Sequence, residues 1–446
     1  MTPVTSPVGL IGPDELLIFL LQVGLLLLCA LLLGRLTQRL GMSAIVGELC
    51  AGVLLGPSVL ARVAPGLSDW LLPRDTAQFH MLDAVGQVGV LLLVGITGIH
   101  IDLRLVRRRG VTAARISLAG VAIPLGLGVA VGLLLPASLV PGSVDRSTFA
   151  LFLGVAMGVS AIPVIAKTLM EMRLLHRNIG QLILCAVTVD DIVGWLLLSV
   201  VSAMATTGVR AGNIALSIGY VAAVIAVAVL ARPLVRAALR AADRSDSRRD
   251  GGVTVTLVVI LVLLAAAATQ AMKLEAVFGA FVCGIVISSC GTLSPARLAP
   301  LRTTVLSFLA PLFFATAGLR MDLTALAQPT VLLAGLGVLI TAILGKFAGA
   351  YLGARLSRLG HWEALALGAG MNARGVIEVI IAMVGLRLGV LSAEMYTVIV
   401  LVAIVTSLMA PPILRLTMAR VEQTAEERLR EESHETEKVR NTGGTI

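Results

Sequence analysis

Two adjacent carboxylates, Asp190 and Asp191, stand inside an apolar run at about residues 179–203. At a rise of about 1.5 Å per residue they lie about 18 Å along a helix, close to the middle of a bilayer. Ionisable groups at that depth are costly and mark ion pathways or proton relays. Neighbours at i and i+1 point about 100° apart on a helix, so one ionic partner does not serve both. One carboxylate is therefore expected to face a water-filled ion site and the other a partner within the bundle. Desolvation disfavours a charged carboxylate and raises its pKa. Thr188, close by on the same helix, offers an oxygen to a cation.

Lys346 is the expected partner. The chain has 35 Lys and Arg residues, and Lys346 is one of only four lysines, the others being Lys167, Lys273 and Lys438 near span ends or in the tail. A buried lysine can lose its proton when its counter-ion is taken, whereas arginine stays charged. The alternative is a lysine that snorkels to the cytoplasmic side.

Two apolar runs carry helix breakers at similar depth. One holds Ser160, Ala161 and Pro163, where proline removes a backbone donor and disfavours helix at the residue before it. The other holds Asn372, Arg374 and Gly375. Discontinuous helices of this kind turn freed carbonyls and helix ends towards an ion. Arg374 and Glu378, at i and i+4, neutralise one another and read as a structural intramembrane pair. Glu48 and Asp83 lie near span ends, and the histidines fall near ends or in loops, so none is assigned to the site.

These residues need a membrane scaffold. Of 446 residues, 57% are hydrophobic and only 14% charged, with a mean hydropathy of +0.97. That excludes a soluble enzyme with a single anchor, and apolar stretches of helical length exclude a β-barrel. Apolar runs fall at about 14–35, 42–60, 83–101, 111–135, 147–170, 179–203, 212–231, 253–271, 275–290, 303–319, 329–352, 362–386 and 393–414, giving thirteen expected spans, the ninth short. The net charge of +9 is spread over short loops and reads as topology rather than nucleic-acid binding. Lys and Arg concentrate in alternate loops, placing the N-terminus outside and the C-terminus in the cytoplasm. No basic residue precedes Arg35, so the first run is expected to stay as a helix rather than be cleaved. The five cysteines lie in apolar runs without zinc-ligand spacing.

The halves echo one another. Gly98-Ile-His-Ile-Asp102-Leu103 ends the third run, and Gly318-Leu-Arg-Met-Asp322-Leu323 ends the tenth. Gly47 to Gly52 in the second run is matched loosely by Gly279 to Gly284 in the ninth. Because the third and tenth spans cross in opposite directions, the echo implies an inverted repeat. The expected organisation is a transmembrane exchanger domain over 1–416, with repeats at about 42–203 and 275–414 and a linker helix at about 212–231. A short polar tail follows over 417–446, too short for a nucleotide-binding domain.

Gly47-Glu-Leu-Cys-Ala-Gly-Val-Leu-Leu-Gly-Pro-Ser58, Val-Asp190-Asp191, Pro311 to Gly318, Gly345-Lys346 and Met371-Asn-Ala-Arg-Gly-Val-Ile-Glu378 together resemble the monovalent cation:proton antiporters. The resemblance covers about Leu17 to Pro412 and is nearest the branch with bacterial Na+/H+ and K+/H+ antiporters and plant cation/H+ exchangers. It implies a homodimer with a dimerisation panel and a mobile six-helix core crossed by two broken helices, serving ion and pH homeostasis. By position it implies that Asp191 binds proton and cation, the one metal contact being monovalent, and that Asp190 pairs with Lys346. Ser160 and Ala161 would flank the crossover. Paired aspartates imply electrogenic exchange. The Arg-Gly-Val-Ile-Glu sequence is more like the plant exchangers, which leaves sodium against potassium open.

The expected function is therefore secondary exchange of a monovalent cation, sodium first and potassium or lithium next, for protons across the cytoplasmic membrane of a prokaryote. It needs no cofactor and makes no covalent chemistry. The rival from another class is a proton-coupled exporter of a small organic compound or ionophore–cation complex. A channel is disfavoured by the absence of a filter-like loop.

Overall fold

The computed structural model describes residues 11–72, 76–101, 110–142, 144–172, 174, 177–207, 211–246, 252–291, 296–424 and 427, and these contain no strand. Sustained apolar sequence satisfies its backbone internally by forming helices, the one open-ended solution a bilayer permits. We number them α1 (Pro13–Arg39), α2 (Ala44–Leu55), α3 (Thr76–Ile99), α4 (Gly110–Leu134), α5 (Arg146–Gly158), α6 (Ile162–Glu171), α7 (Asn178–Thr207), α8 (Ala211–Asp246), α9 (Gly252–Ala271) and α10 (Ala276–Cys290). They continue as α11 (Ala299–Leu319, with a π turn at Val305–Leu309), α12 (Pro329–Leu356), α13 (His361–Met371), α14 (Val376–Arg387) and α15 (Ala393–Met418). The protein is a multi-pass membrane protein.

The expected thirteen spans are not all long, unbroken helices. Among the described residues, ten helices are long and apolar enough to cross a membrane, or eleven if α13 and α14, bent by 43° at their break, count as one. The run at 147–170 is cut after Gly158 into α5 and α6. The run at 275–290 gives only the 15-residue α10, about 22 Å long against a hydrocarbon core of about 30 Å. The linker also extends further than expected: the arginine-rich segment after residue 231, read as a loop, continues α8 to Asp246. Asp102 and Leu103 of the first echo motif, the side chain of Pro163 and most of the tail lie outside the described residues.

Two bundles form. In one, α4 packs on α5 and α12, α7 lies against α4 and α8, and α13 sits between α12 and α15. In the other, α2 packs on α1 and α11, and α10 on α3 and α9, with α8 against α10. The second bundle is held by two helix crossings, each with a pair of glycines in reciprocal positions. A Cβ on Gly52 would strike the carbonyl of Ala315, and one on Gly318 that of Leu49; likewise Gly284 meets Gly95 and Gly98 meets Phe281. Only glycine lets backbones approach this closely. The echo motifs thus occupy matching contacts, α2 on α11 and α10 on α3.

Candidate functional site

The two broken helices of the first bundle cross. Ala161 N–H, in the gap between α5 and α6, donates to Ala373 O in the gap between α13 and α14 at 3.2 Å. Ser160 Oγ lies 2.7 Å from Met371 O, the last residue of α13. Pro163 sits in the first turn of α6, where a missing N–H costs no helical bond.

Interrupting α5 strands its last carbonyls, the negative end of its dipole. Two cations answer them. Arg374 donates to Met157 O at 2.6 Å and Ala156 O at 3.4 Å, and also to Ala342 O at 3.0 Å. Lys346 Nζ donates to Gly158 O at 2.5 Å. Arg374 reaches Glu378 Oε1 at 3.1 Å, so its pairing with Glu378 is one part of a wider role that ties α5, α12 and α14 together. Gly375 completes the gap, where a Cβ would come 2.7 Å from Val164.

Asp190 and Asp191 sit at the level of this crossing in different surroundings. Asp190 Oδ2 lies 2.5 Å from Lys346 Nζ and 2.9 Å from Ser160 Oγ, and Oδ1 accepts from Ser117 Oγ at 2.5 Å. Lys346 is wholly buried and does not snorkel. Asp191 is equally buried, yet neither of its carboxylate oxygens has a hydrogen-bond partner among the described residues. The Ile162 amide at the start of α6 faces it without reaching hydrogen-bond geometry. Thr188 Oγ1 donates to Leu184 O at 2.7 Å, within its own helix. Asn372 Oδ1 is a further buried acceptor without a hydrogen-bond partner among the described residues.

A charge count gives the chemistry. The crossing buries two cations, Lys346 and Arg374, against three carboxylates, Asp190, Asp191 and Glu378. Lys346 answers Asp190 and Arg374 answers Glu378, leaving Asp191 as the uncompensated carboxylate. A buried charge without a partner is very unfavourable. One added positive charge removes the imbalance.

Sequence reasoning missed Ser117, because a lone serine in an apolar run carries no signal of what it faces. It also missed Glu275, which is buried at the start of α10 and pairs with Arg387 of α14 at 2.7 Å. Glu48 stays half-buried in α2, and Asp83 pairs with Arg320. None of the five cysteines is in a disulfide.

The family described as "Sodium/hydrogen exchanger, transmembrane" matches residues 24–420. The chain belongs to the sodium/hydrogen exchanger family. The exchanger is 31% identical over 401 residues to the Na(+)/H(+) antiporter NhaS4 of Synechocystis, covering 90% of this chain and 97% of that one. It is 30% identical to cation/H(+) antiporter 19 of Arabidopsis thaliana, over 90% of this chain and 49% of that protein, so it spans about half the length of the plant relatives. In fold it is similar to the sodium proton antiporter MjNhaP1 of Methanocaldococcus jannaschii, with a TM-score of 0.68 at 15% identity over 91% of this chain and 99% of that one.

Proposed function

We propose that this exchanger moves a monovalent cation against protons by competition at Asp191. Sodium is the first candidate, with potassium and lithium next. The observation that carries the reading is the contrast between neighbours: Asp190 is saturated by Lys346, Ser117 and Ser160, while Asp191 is buried with both oxygens free among the described residues. A cation at Asp191 would draw on these oxygens and on Thr188 and Asn372. Most carbonyls freed by the break in α5 are held by Arg374 and Lys346, so they serve the scaffold rather than the ion. Binding of the cation weakens the hold of the site on Lys346, whose charge state then couples exchange to membrane potential and makes it electrogenic.

Alternating access would come from the bundle of α4–α7 and α12–α15 sliding against the bundle of α1–α3 and α9–α11. The reciprocal glycine contacts support the latter as a stiff panel built from an inverted repeat. Its α1 and the linker α8 are the least buried of the long helices, at 17% and 6%, which suits a homodimer formed on that side. Alternation of basic loops supports a cytoplasmic C-terminus, and the membrane we assign is the inner membrane of a prokaryote.

A cavity of about 810 Å³ between α3, α7, α8 and α10 favours the second reading, export of an organic solute, because its walls are largely apolar. Vesicle assays separate the two. Addition of sodium, lithium, potassium or rubidium to energised inverted vesicles should collapse the proton gradient; failure with every cation, with the protein inserted, would favour the organic solute.

A further inference from the structure

The seam between α7 and α10 is open at one end and shut at the other. The cavity occupies the open end, lined by Ile192 and Leu196 of α7, Phe281 and Ile285 of α10, and Arg232 of α8 near its mouth. At Phe281 the seam closes: the ring of Trp195 lies against it, centroid to centroid 5.9 Å. Beyond this plug, α7 carries Ser199 and Ser202. With Asp191 and Trp195 they stand at i, i+4, i+8 and i+11, which falls within about 80° of one helix face and spans about 16 Å along the axis.

That face gathers buried polar atoms that lack partners. Trp195 Nε1, Ser199 Oγ and Ser202 Oγ are all buried without a hydrogen-bond partner among the described residues, like both oxygens of Asp191. Buried polar atoms are nearly always satisfied, so four consecutive steps of one face that are not require a reason. The column ends at Glu275 at the start of α10, which Ser202 faces. Glu275 is in turn clamped to Arg387 at the end of α14 at 2.7 Å. This ion pair joins the two bundles across the shut end.

We propose that this column is the closed half of the transport route, and that Trp195, Ser199 and Ser202 are wetted, the two serine oxygens touching the passing cation, once the Glu275–Arg387 pair opens. The proposal rests on the exchanger reading of Asp191. It gives a role to polar atoms that find no partner in hydrogen-bond geometry among the described residues, Ser202 only facing Glu275: they line a path that water enters in the opposite state. Trp195 on Phe281 is the plug, and Glu275–Arg387 is the outer clasp. Arg387 is 41% exposed, so the clasp is weak enough to open in each cycle.

The test is side-specific labelling in a protein whose five native cysteines are replaced by serine. Ser199→Cys, Ser202→Cys and Ile192→Cys are treated with a membrane-impermeant thiol reagent applied to each face of sealed vesicles. Ser199→Cys and Ser202→Cys should react only from the face at the C-terminal end of α7, and Ile192→Cys only from the other. Adding Glu275→Gln should speed labelling of the two serine positions by about threefold, the population shift expected from losing a weak ion pair. In the native-cysteine protein, Glu275→Gln should also raise hydrogen exchange in 195–206 and not in α4. Labelling of both serine positions from the cavity side, or no labelling with unchanged exchange, would overturn the proposal. Labelling does not depend on transport, so its outcome is separable from a failure to exchange cations.

Discussion

Lys346 Nζ stands 2.5 Å from Asp190 Oδ2 with both side chains wholly buried, while Asp191, one residue further on, has neither oxygen bonded among the described residues. The two aspartates should therefore respond in opposite directions when neutralised. Asp190→Asn leaves the Lys346 charge buried without a counter-charge and should cost about 3–5 kcal/mol. Asp191→Asn removes an unpaired carboxylate and should leave stability unchanged or raised. Thermal unfolding in one detergent compares them; an Asp191→Asn protein less stable than Asp190→Asn would contradict the assignment.

Arg374 should behave as scaffold. Arg374→Gln strands the carbonyls of Ala156, Met157 and Ala342 and leaves Glu378 without its cation, a loss of about 3–5 kcal/mol. Adding Glu378→Gln should recover part of it. A double-mutant cycle on denaturation midpoints reads the coupling, and strictly additive effects would refute the pairing.

The site was legible where residue chemistry is scarce. Asp190, Asp191 and Lys346 are conspicuous because charge is rare in apolar runs, and the helix breakers at Ser160 to Pro163 and Asn372 to Gly375 are equally visible. Sequence did not say which surroundings Asp190 and Asp191 would meet, because that depends on Ser117 from a helix 73 positions away. The length of α8 was misread because a run of arginines resembles a loop by charge, although arginine is a good helix former. The clasp between Glu275 and Arg387 was invisible, since 112 residues separate its halves.

The glycine crossings give a packing prediction. Gly52→Ala and Gly284→Ala put a methyl group into a neighbouring backbone carbonyl and should each cost at least about 1–3 kcal/mol. Gly126→Ala in α4, where nothing lies within 4 Å, should be neutral or slightly stabilising. Yield of monodisperse protein and melting temperature distinguish them; equal tolerance at all three would deny the close contacts.

Glu427, beyond α15, is fastened to the start of α7. Glu427 accepts from Asn178 N–H at 2.6 Å and Thr424 N–H at 2.8 Å and pairs with Arg177 at 3.4 Å. Burial pushes the Glu427 carboxyl up, but these amides and the guanidinium outweigh it and hold the carboxyl below its ordinary 4.5. A depressed pKa means that the fastening is complete above the ordinary value and is lost as pH falls through the depressed one. Hydrogen exchange at the start of α7 should therefore be flat from pH 8 to about 5 after correction for intrinsic rates, and Glu427→Gln should raise it at neutral pH. Loosening of the wild-type contact between pH 7 and 6 would contradict this.

The most direct test of the central claim is cation-driven proton movement in proteoliposomes holding wild type, Asp191→Asn or Thr188→Ala, with an imposed pH gradient and sodium, lithium or potassium added in turn. The account predicts dissipation by one or more cations in wild type, a weaker apparent affinity in Thr188→Ala, and no response in correctly folded Asp191→Asn. Full exchange by Asp191→Asn would contradict it, because the one uncompensated carboxylate of the crossing would then not be where proton and cation compete.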